Sequence, residues 1–315
     1  MIDSESDKRP EKLSFDCAIV AVGYERRCRW ITSSLSVKAR RGLGLEFGFL
    51  AEGSYLDNRA YFEQLDFEIV PGLGAQAVDV LTKEIASSLR ESGTLFVDIS
   101  SMSREMIANI ALAIQAVRGS KALSVTVAYA PSKFSGSYEP APIRLASPIK
   151  PTLAGWSSRP EMPLGTIFGL GCEPGLALGA LQMLEPNKAW IFRPKGVDPR
   201  FDADMRRANG HIEDIFDVSV FNYDILEPTF ARGRLEALLN AVHNSFRLIV
   251  VPFGPKVFAW LAISTVIFGG RSDIGVWAFS SKEQGRVVDR EAEGSIVWHT
   301  INLEKLDDRK SSAKD

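Results

Sequence analysis

Thr94–Ile114, TLFVDISSMSREMIANIALAI, reads as a buried strand, a hydroxyl-rich turn and the opening of an apolar helix. Leu95-Phe96-Val97 is a short apolar run of the kind a parallel strand covered on both faces needs, and Met106, Ile107, Ile110, Ala111 and Ile114 recur at helical spacing. Between them stand Asp98, Ser100, Ser101, Ser103 and Arg104. A helix amino terminus at the carboxyl end of a parallel strand presents unpaired N–H groups and the positive end of a dipole. Hydroxyls and a guanidinium there suit a phosphate or another anion. The plainer alternative is that Ser100 or Ser103 caps the helix and Arg104 is a solvated first-turn residue.

The second half of the chain repeats the arrangement. Arg247–Ile267, RLIVVPFGPKVFAWLAISTVI, again gives an apolar strand, a turn with a basic residue, Lys256, and an apolar helix. Val125–Lys133 matches Ile274–Lys282 at an offset of 149 residues, and both stretches end in Ser-Lys: Ser132-Lys133 and Ser281-Lys282. Ile19–Glu25 matches Ile167–Glu173 at an offset of 148, with Gly23-Tyr24-Glu25 and Gly171-Cys172-Glu173 sharing Gly-x-Glu. Asp57-Asn58-Arg59 and Asp198-Pro199-Arg200 add a looser match. Four matches in one order imply an internal duplication of a unit of roughly 150 residues, about one ordinary domain each.

Working outward, the sequence predicts an unstructured tail over 1–14, a first unit over 15–147, a proline- and glycine-rich linker over 148–164, a second unit over 165–303 and a mobile charged tail over 304–315. Within the first unit, strands are expected from Phe15 to Val22, over Leu45–Leu50 and over Phe67–Val70, with a short sixth strand over Ile143–Ala146. With 315 residues, 45% apolar composition and a net charge of −2, the chain is a globular protein without the footprint of a duplex-DNA binder. Cys17, Cys28 and Cys172 form no C-x-x-C pair, and His211, His243 and His299 are scattered, so neither a metal site nor a disulfide framework is predicted. The glycines around Gly171 lack the G-x-G-x-x-G spacing, and no dinucleotide cofactor is expected. The amino terminus shows no secretory signal, and no apolar run of membrane-spanning length is visible. A cytoplasmic location without membrane contact is therefore the expectation.

The alternation of strands and helices implies an α/β chain of two tandem Rossmann-like units with mainly parallel sheets, related by a pseudo-two-fold. In such sheets ligands sit beyond the carboxyl ends of the strands. The candidate ligand residues are therefore Gly23, Tyr24, Glu25, Asp98, Ser100, Ser101, Ser103, Arg104, Ser132 and Lys133 on one rim, and Gly171, Glu173, Gly254, Lys256, Ser281 and Lys282 on the other. Two rims facing each other would form one shared positive cleft. Tyr24 is the stacking candidate, whereas Phe258, Trp260 and Trp277 read as core. Glu25 and Glu173 are the available bases, and the cations Arg104, Lys256, Lys133 and Lys282 could stabilise developing charge.

Asp98-Ile99-Ser100-Ser101-Met102-Ser103-Arg104 resembles the Asp/Asn-Ile-Thr-Gly-Gly-Thr-Lys stretch of CARF domains, the Rossmann-like sensors of CRISPR-linked cyclic oligoadenylates. Hydroxyls fall at the same two places, and Arg104 takes the lysine position. Pro252-Phe253-Gly254-Pro255-Lys256 resembles a shortened form of the same motif. Ser101 and Met102 replace the paired glycines, and Gly23-Tyr24-Glu25 differs from the hydroxyl-rich first motif of that family. A chain with two such units resembles a CARF pseudo-dimer, similar in plan to SAVED sensors. The resemblance implies a binding protein for an anionic nucleotide, a cyclic or linear oligonucleotide second messenger, in a prokaryotic antiviral defence system, signalling to a separate effector chain. The alternatives are a slow, metal-independent ring nuclease, a phosphoribosyltransferase-like enzyme using Asp98 and the serine turn, or a protein-binding scaffold.

Overall fold

The computed structural model describes residues 2–48, 52–90, 92–136, 138–140, 142–156, 158–280 and 288–306. In chain order the strands are β1 (Ile2–Ser6), β2 (Ser14–Val22), β3 (Lys38–Glu46), β4 (Phe67–Pro71), β5 (Ser92–Asp98), β6 (Ala122–Tyr129), β7 (Leu145–Pro148), β8 (Leu164–Gly169), β9 (Lys188–Lys195), β10 (Val218–Asp224), β11 (Arg247–Pro252), β12 (Gly275–Ser280) and β13 (Val297–Leu303). The α-helices are α1 (Trp30–Leu35), α2 (Tyr55–Gln64), α3 (Ala77–Ser88), α4 (Arg104–Arg118), α5 (Leu176–Leu184), α6 (Pro199–Asn209), α7 (Ile212–Ile215), α8 (Pro228–Val242) and α9 (Lys256–Phe268). Two compact units result, Met1–Ser132 with Val287–Asp315, and Lys133–Arg286. The chain is α/β, with one mostly parallel mixed sheet in each unit.

The first sheet has the order β1-β13-β6-β5-β2-β3-β4 and the second β10-β9-β8-β11-β12-β7. The five parallel strands of each thus lie in the same order, the third, second, first, fourth and fifth to appear in the chain. Register agrees as well. One row across the first sheet reads Glu68, Leu43, Ile19, Val97, Val127 and His299. The matching row of the second reads Ser219, Trp190, Ile167, Val250 and Val276, with the Ile149 N–H donating to the Val276 carbonyl at 2.9 Å. The residues aligned by the sequence repeat, Ile19 with Ile167 and Val127 with Val276, therefore hold the same sheet positions.

The strand beside each fifth strand is antiparallel and comes from elsewhere in the chain. β7 follows β6 in sequence yet pairs with β12 of the second unit, while β13 follows β12 yet pairs with β6 of the first. This exchange moves the unit boundaries away from the linear division at 147 and 165. Residues 2–6, expected in an unstructured tail, form β1 because β13 would otherwise leave an open edge, and the short strand pairs along it. Part of the 148–164 stretch is also ordered, with a 3-10 turn at Pro151–Leu153. The second strand of the first unit begins at Lys38 rather than Leu45. Its charged opening, Lys38-Ala39-Arg40-Arg41, alternates between exposed and half-buried before Leu43 and Leu45 enter the core. Phe49 and Leu50 of the expected strand, Ser157 of the expected linker and residues 307–315 of the expected tail lie outside the described residues.

Core composition follows from the apolar runs. β5 buries Leu95, Phe96 and Val97, and α4 buries Met106, Ile107, Ile110, Ala111 and Ile114. α9 is apolar on every side, and each residue from Val257 to Phe268 is buried, as a helix without a polar face requires. Phe258 and Trp260 are core residues, and Trp277 packs at the core margin with its indole N–H donating to the Ala154 carbonyl at 3.2 Å. Among the described residues no helix is long and apolar enough to cross a membrane.

Candidate functional site

Where β2 ends, the chain turns at Gly23, and the turn is held from α2. Asn58, fully buried, donates through Nδ2 to the carbonyls of Gly23 at 2.8 Å and Glu25 at 2.9 Å, while the Ser54 N–H donates to the Tyr24 carbonyl at 2.9 Å. Satisfying buried carbonyls with one amide fixes the loop, since each left unpaired would cost about 1–3 kcal/mol. Glu25 is thereby aimed inward. Its Oε2 accepts from Arg27 Nη2 at 2.7 Å and Nε at 3.1 Å, and from Ser101 Oγ at 3.3 Å. Arg27 is only 4% exposed and also donates to the Ala130 carbonyl at 3.1 Å. Burial works against its charge, but Glu25, Tyr129 and Asp98 together outweigh burial and hold the guanidinium above its ordinary pKa.

Asp98, the last residue of β5, stands beside this pair and is 2% exposed. Its Oδ1 accepts the Ser100 N–H at 2.9 Å, and its Oδ2 has no hydrogen-bond partner among the described residues. Burial pushes its carboxyl up to about 6, against the opposing pull of the Ser100 contacts and Arg27. Ser100 Oγ is also taken structurally, because it accepts the Ala130 N–H at 2.8 Å and so ties the β5 turn to the end of β6. Ser103 is the N-cap of α4, accepting the Met106 N–H at 3.1 Å, and Arg104 is the first residue of that helix. Two of the expected ligand hydroxyls are therefore committed to the fold, which is the plainer reading of them. Tyr24 is half-buried, its ring 6.4 Å from that of Phe47. Burial first, and then Glu25, pushes its hydroxyl up.

The segment that delivers β13 crosses this rim. Asp289 Oδ1 accepts the Arg26 N–H at 2.6 Å, and its Oδ2 accepts the Ser54 hydroxyl at 2.8 Å. The Arg27 N–H donates to the Arg290 carbonyl at 3.1 Å, and the Glu293 N–H to the Pro131 carbonyl at 2.9 Å, next to a bridge between Ser132 and Ala292. Gly23, Glu25, Asp98, Ser100 and Ser101 are brought together, whereas Ser132 lies under this strap and Lys133 is an exposed residue assigned to the other unit.

The second unit repeats part of this scheme. Asn209, at the end of α6, donates through Nδ2 to the Gly171 carbonyl at 2.9 Å and to the Met205 carbonyl at 2.9 Å. A buried asparagine from the helix after the second strand thus grips the first-strand glycine in both units. Asp198, by contrast, caps α6 while Asp57 lies inside α2, so the Asp57–Arg59 and Asp198–Arg200 match does not join equivalent positions. Gly254, at φ +72°, bends the turn after β11 so closely against β8 that a Cβ would run into the Leu170 carbonyl oxygen. Gly171 faces it, 3.1 Å from its added Cβ position to the Gly254 nitrogen, and a Cβ there would also strike the Glu173 carboxylate. Lys256 is the first residue of α9, as Arg104 is of α4. Ser281 and Lys282 lie outside the described residues.

Beside this glycine turn is an open groove of about 610 Å³ lined by Pro140, Pro142, Ile143, Pro174, Gly175 and Met183 among others. Its lining is mostly apolar, with Gln182 as a polar side chain, and includes no cation among the described residues. Among the described residues no group of three or more His, Cys, Asp or Glu side chains could hold a metal ion. The residues the sequence left unassigned are Arg27, Asn58, Asn209 and Asp289. The chain matches no protein-family model, and no curated protein matches its sequence.

Proposed function

We propose that this protein binds an anionic nucleotide at the carboxyl-end rims of its sheets and passes the signal to a separate effector chain. The observation that carries the reading is the recurrence of one pair of elements: a glycine turn gripped by a buried asparagine, and, after the fourth strand, a helix of at least thirteen residues whose first residue is Arg104 or Lys256. A long helix amino terminus beside a cation favours phosphate. The shared strand order and register support reading the units as copies of one ancestral domain, and the motif resemblance supports a cyclic or linear oligonucleotide messenger of an antiviral defence system.

Calorimetry of the full chain against cyclic oligonucleotides, mononucleotides and phosphoribosyl pyrophosphate tests this. Arg104→Ala and Lys256→Ala are each expected to weaken binding by about 1.5–3 kcal/mol, roughly ten- to hundred-fold. An absence of binding across the panel would refute the proposal in favour of a scaffold. Turnover is a second reading with one observation behind it, the raised carboxyl of Asp98, whose proton affinity suits acid–base work near neutrality. Glu25 is less suited to act as a base because Arg27 occupies it. Consumption of a bound nucleotide, abolished in Asp98→Asn, would establish an enzyme.

A further inference from the structure

Asp289 belongs to the strap of residues 288–295, and its carboxylate is held as a bound anion would be. It takes the Arg26 backbone N–H at 2.6 Å, the hydroxyl of Ser54 at 2.8 Å and, at 3.6 Å, the Arg26 guanidinium. Ser54 is 8% exposed and sits at the N-cap of α2, where a serine ordinarily turns its oxygen to its own helix. Here it makes no capping bond, and its hydroxyl is given to Asp289 instead. Three donors of different kinds, one of them buried, therefore converge on a single carboxylate beyond the end of β2.

The strap is anchored towards its carboxyl end by the Glu293 N–H and the buried Ala292, while its amino-terminal part around Asp289 is held by polar contacts. Val288 is 44% exposed, and the Glu291 side chain, 48% exposed, pairs with Arg26 at 3.4 Å. Exposed ion pairs of this kind contribute little, and segments held by polar contacts with little apolar burial open at low cost. The strap also carries a cation inward, since Arg290 lies close enough to Tyr24 and Tyr129 to oppose the upward push that burial gives both hydroxyls.

We propose that the Arg26 N–H, the Ser54 hydroxyl and the Arg26 guanidinium form a phosphate-binding site that Asp289 occupies in the unliganded protein, so that ligand phosphate and strap compete for one set of donors. A phosphate presents the same acceptor oxygens with more charge, and binding it would release the strap. The inference takes its ligand class from the nucleotide reading, while its site stands on the donors alone.

The experiment uses the full chain with inorganic pyrophosphate as probe, followed by calorimetry and by amide hydrogen exchange over residues 288–295. Asp289→Asn keeps the shape and removes the charge, and it is expected to bind pyrophosphate about ten-fold more tightly than the native chain, the gain for a site closed nine-tenths of the time. Asp289→Asn combined with Ser54→Ala is expected to lose most of that gain. In the native chain, pyrophosphate is expected to speed exchange in the strap, a readout that needs no variant to fold. Equal binding by native and Asp289→Asn chains, including none by either, overturns the inference, as does a gain that survives Ser54→Ala or a strap whose exchange pyrophosphate leaves unchanged. Arg104-dependent nucleotide binding that ignores Asp289 would refute the strap and leave the nucleotide reading standing. Tightened pyrophosphate binding without nucleotide binding would do the reverse.

Discussion

Replacing Asp98 with asparagine is expected to stabilise the first unit at neutral pH. Burial lifts this carboxyl from 3.8 to about 6, so the native state holds its proton more tightly than the unfolded chain does. The sign follows: below about pH 4 both states are protonated and nothing is lost. As pH rises towards 6 the unfolded chain ionises first and gains, and above 6 the native state carries the whole penalty. At about 1.4 kcal/mol per pKa unit, the rise from 3.8 to about 6 amounts to about 3 kcal/mol. Asparagine carries no charge and can still accept the Ser100 N–H through its oxygen. Its amide nitrogen, however, replaces an Oδ2 that has no partner among the described residues, which returns about 1 kcal/mol or more. The expected net gain at pH 7.5 is about 1–2 kcal/mol, shrinking by about 1.4 kcal/mol at pH 5.0. Native-state hydrogen exchange of the slowest β5 amides reads the opening of this unit alone. A destabilised variant at pH 7.5, or a difference between the two proteins that does not change with pH, would show that Asp98 is solvated or paired and refute the reasoning.

Gly254→Ala is expected to destabilise by about 3 kcal/mol or more, because its φ of +72° is combined with a backbone oxygen where the methyl would go. Gly175→Ala, at φ +75° but with nothing within 4 Å, is expected to cost only about 1 kcal/mol; urea midpoints for the pair separate the steric effect from the conformational one. Asn58→Ala and Asn209→Ala each strip two carbonyls of a donor and are each expected to cost about 2–4 kcal/mol, measured in the same way. Comparable losses in both variants would support equivalent roles, and a loss below about 0.5 kcal/mol in either would show that water replaces the amide.

β2, β5 and β8 were legible because each holds a compact apolar run, α4 because its apolar residues recur at helical spacing, and α9 because it has almost no polar face. β3 was read too late in the chain because its charged first half lies at a solvent-exposed strand end, where hydropathy gives no signal. The destination of β7 and β13 was not legible at all: alternating polarity marks a strand but does not say which sheet receives it. At the site, the glycines and Glu25 were found from the repeat, whereas the asparagines were missed because their spacing differs, 35 residues after Gly23 against 38 after Gly171. Arg27 could not be singled out from the sequence, since only the fold shows Glu25 and the Ala130 carbonyl closing over it.

The crossed placement of β7 and β13 means that the first unit is built from two separate stretches of the chain, with the second, Lys133–Arg286, inserted whole between them. Cutting the chain in the proline-rich region between them yields pieces that each carry off the outer strand of the other. The bare flank of β6 or β12 then exposes a row of unmet N–H and C=O groups, the template on which foreign strands assemble. Excision at the two ends of Lys133–Arg286, with the flanks joined, spares both sheets instead, because all six strands of the second lie between those ends.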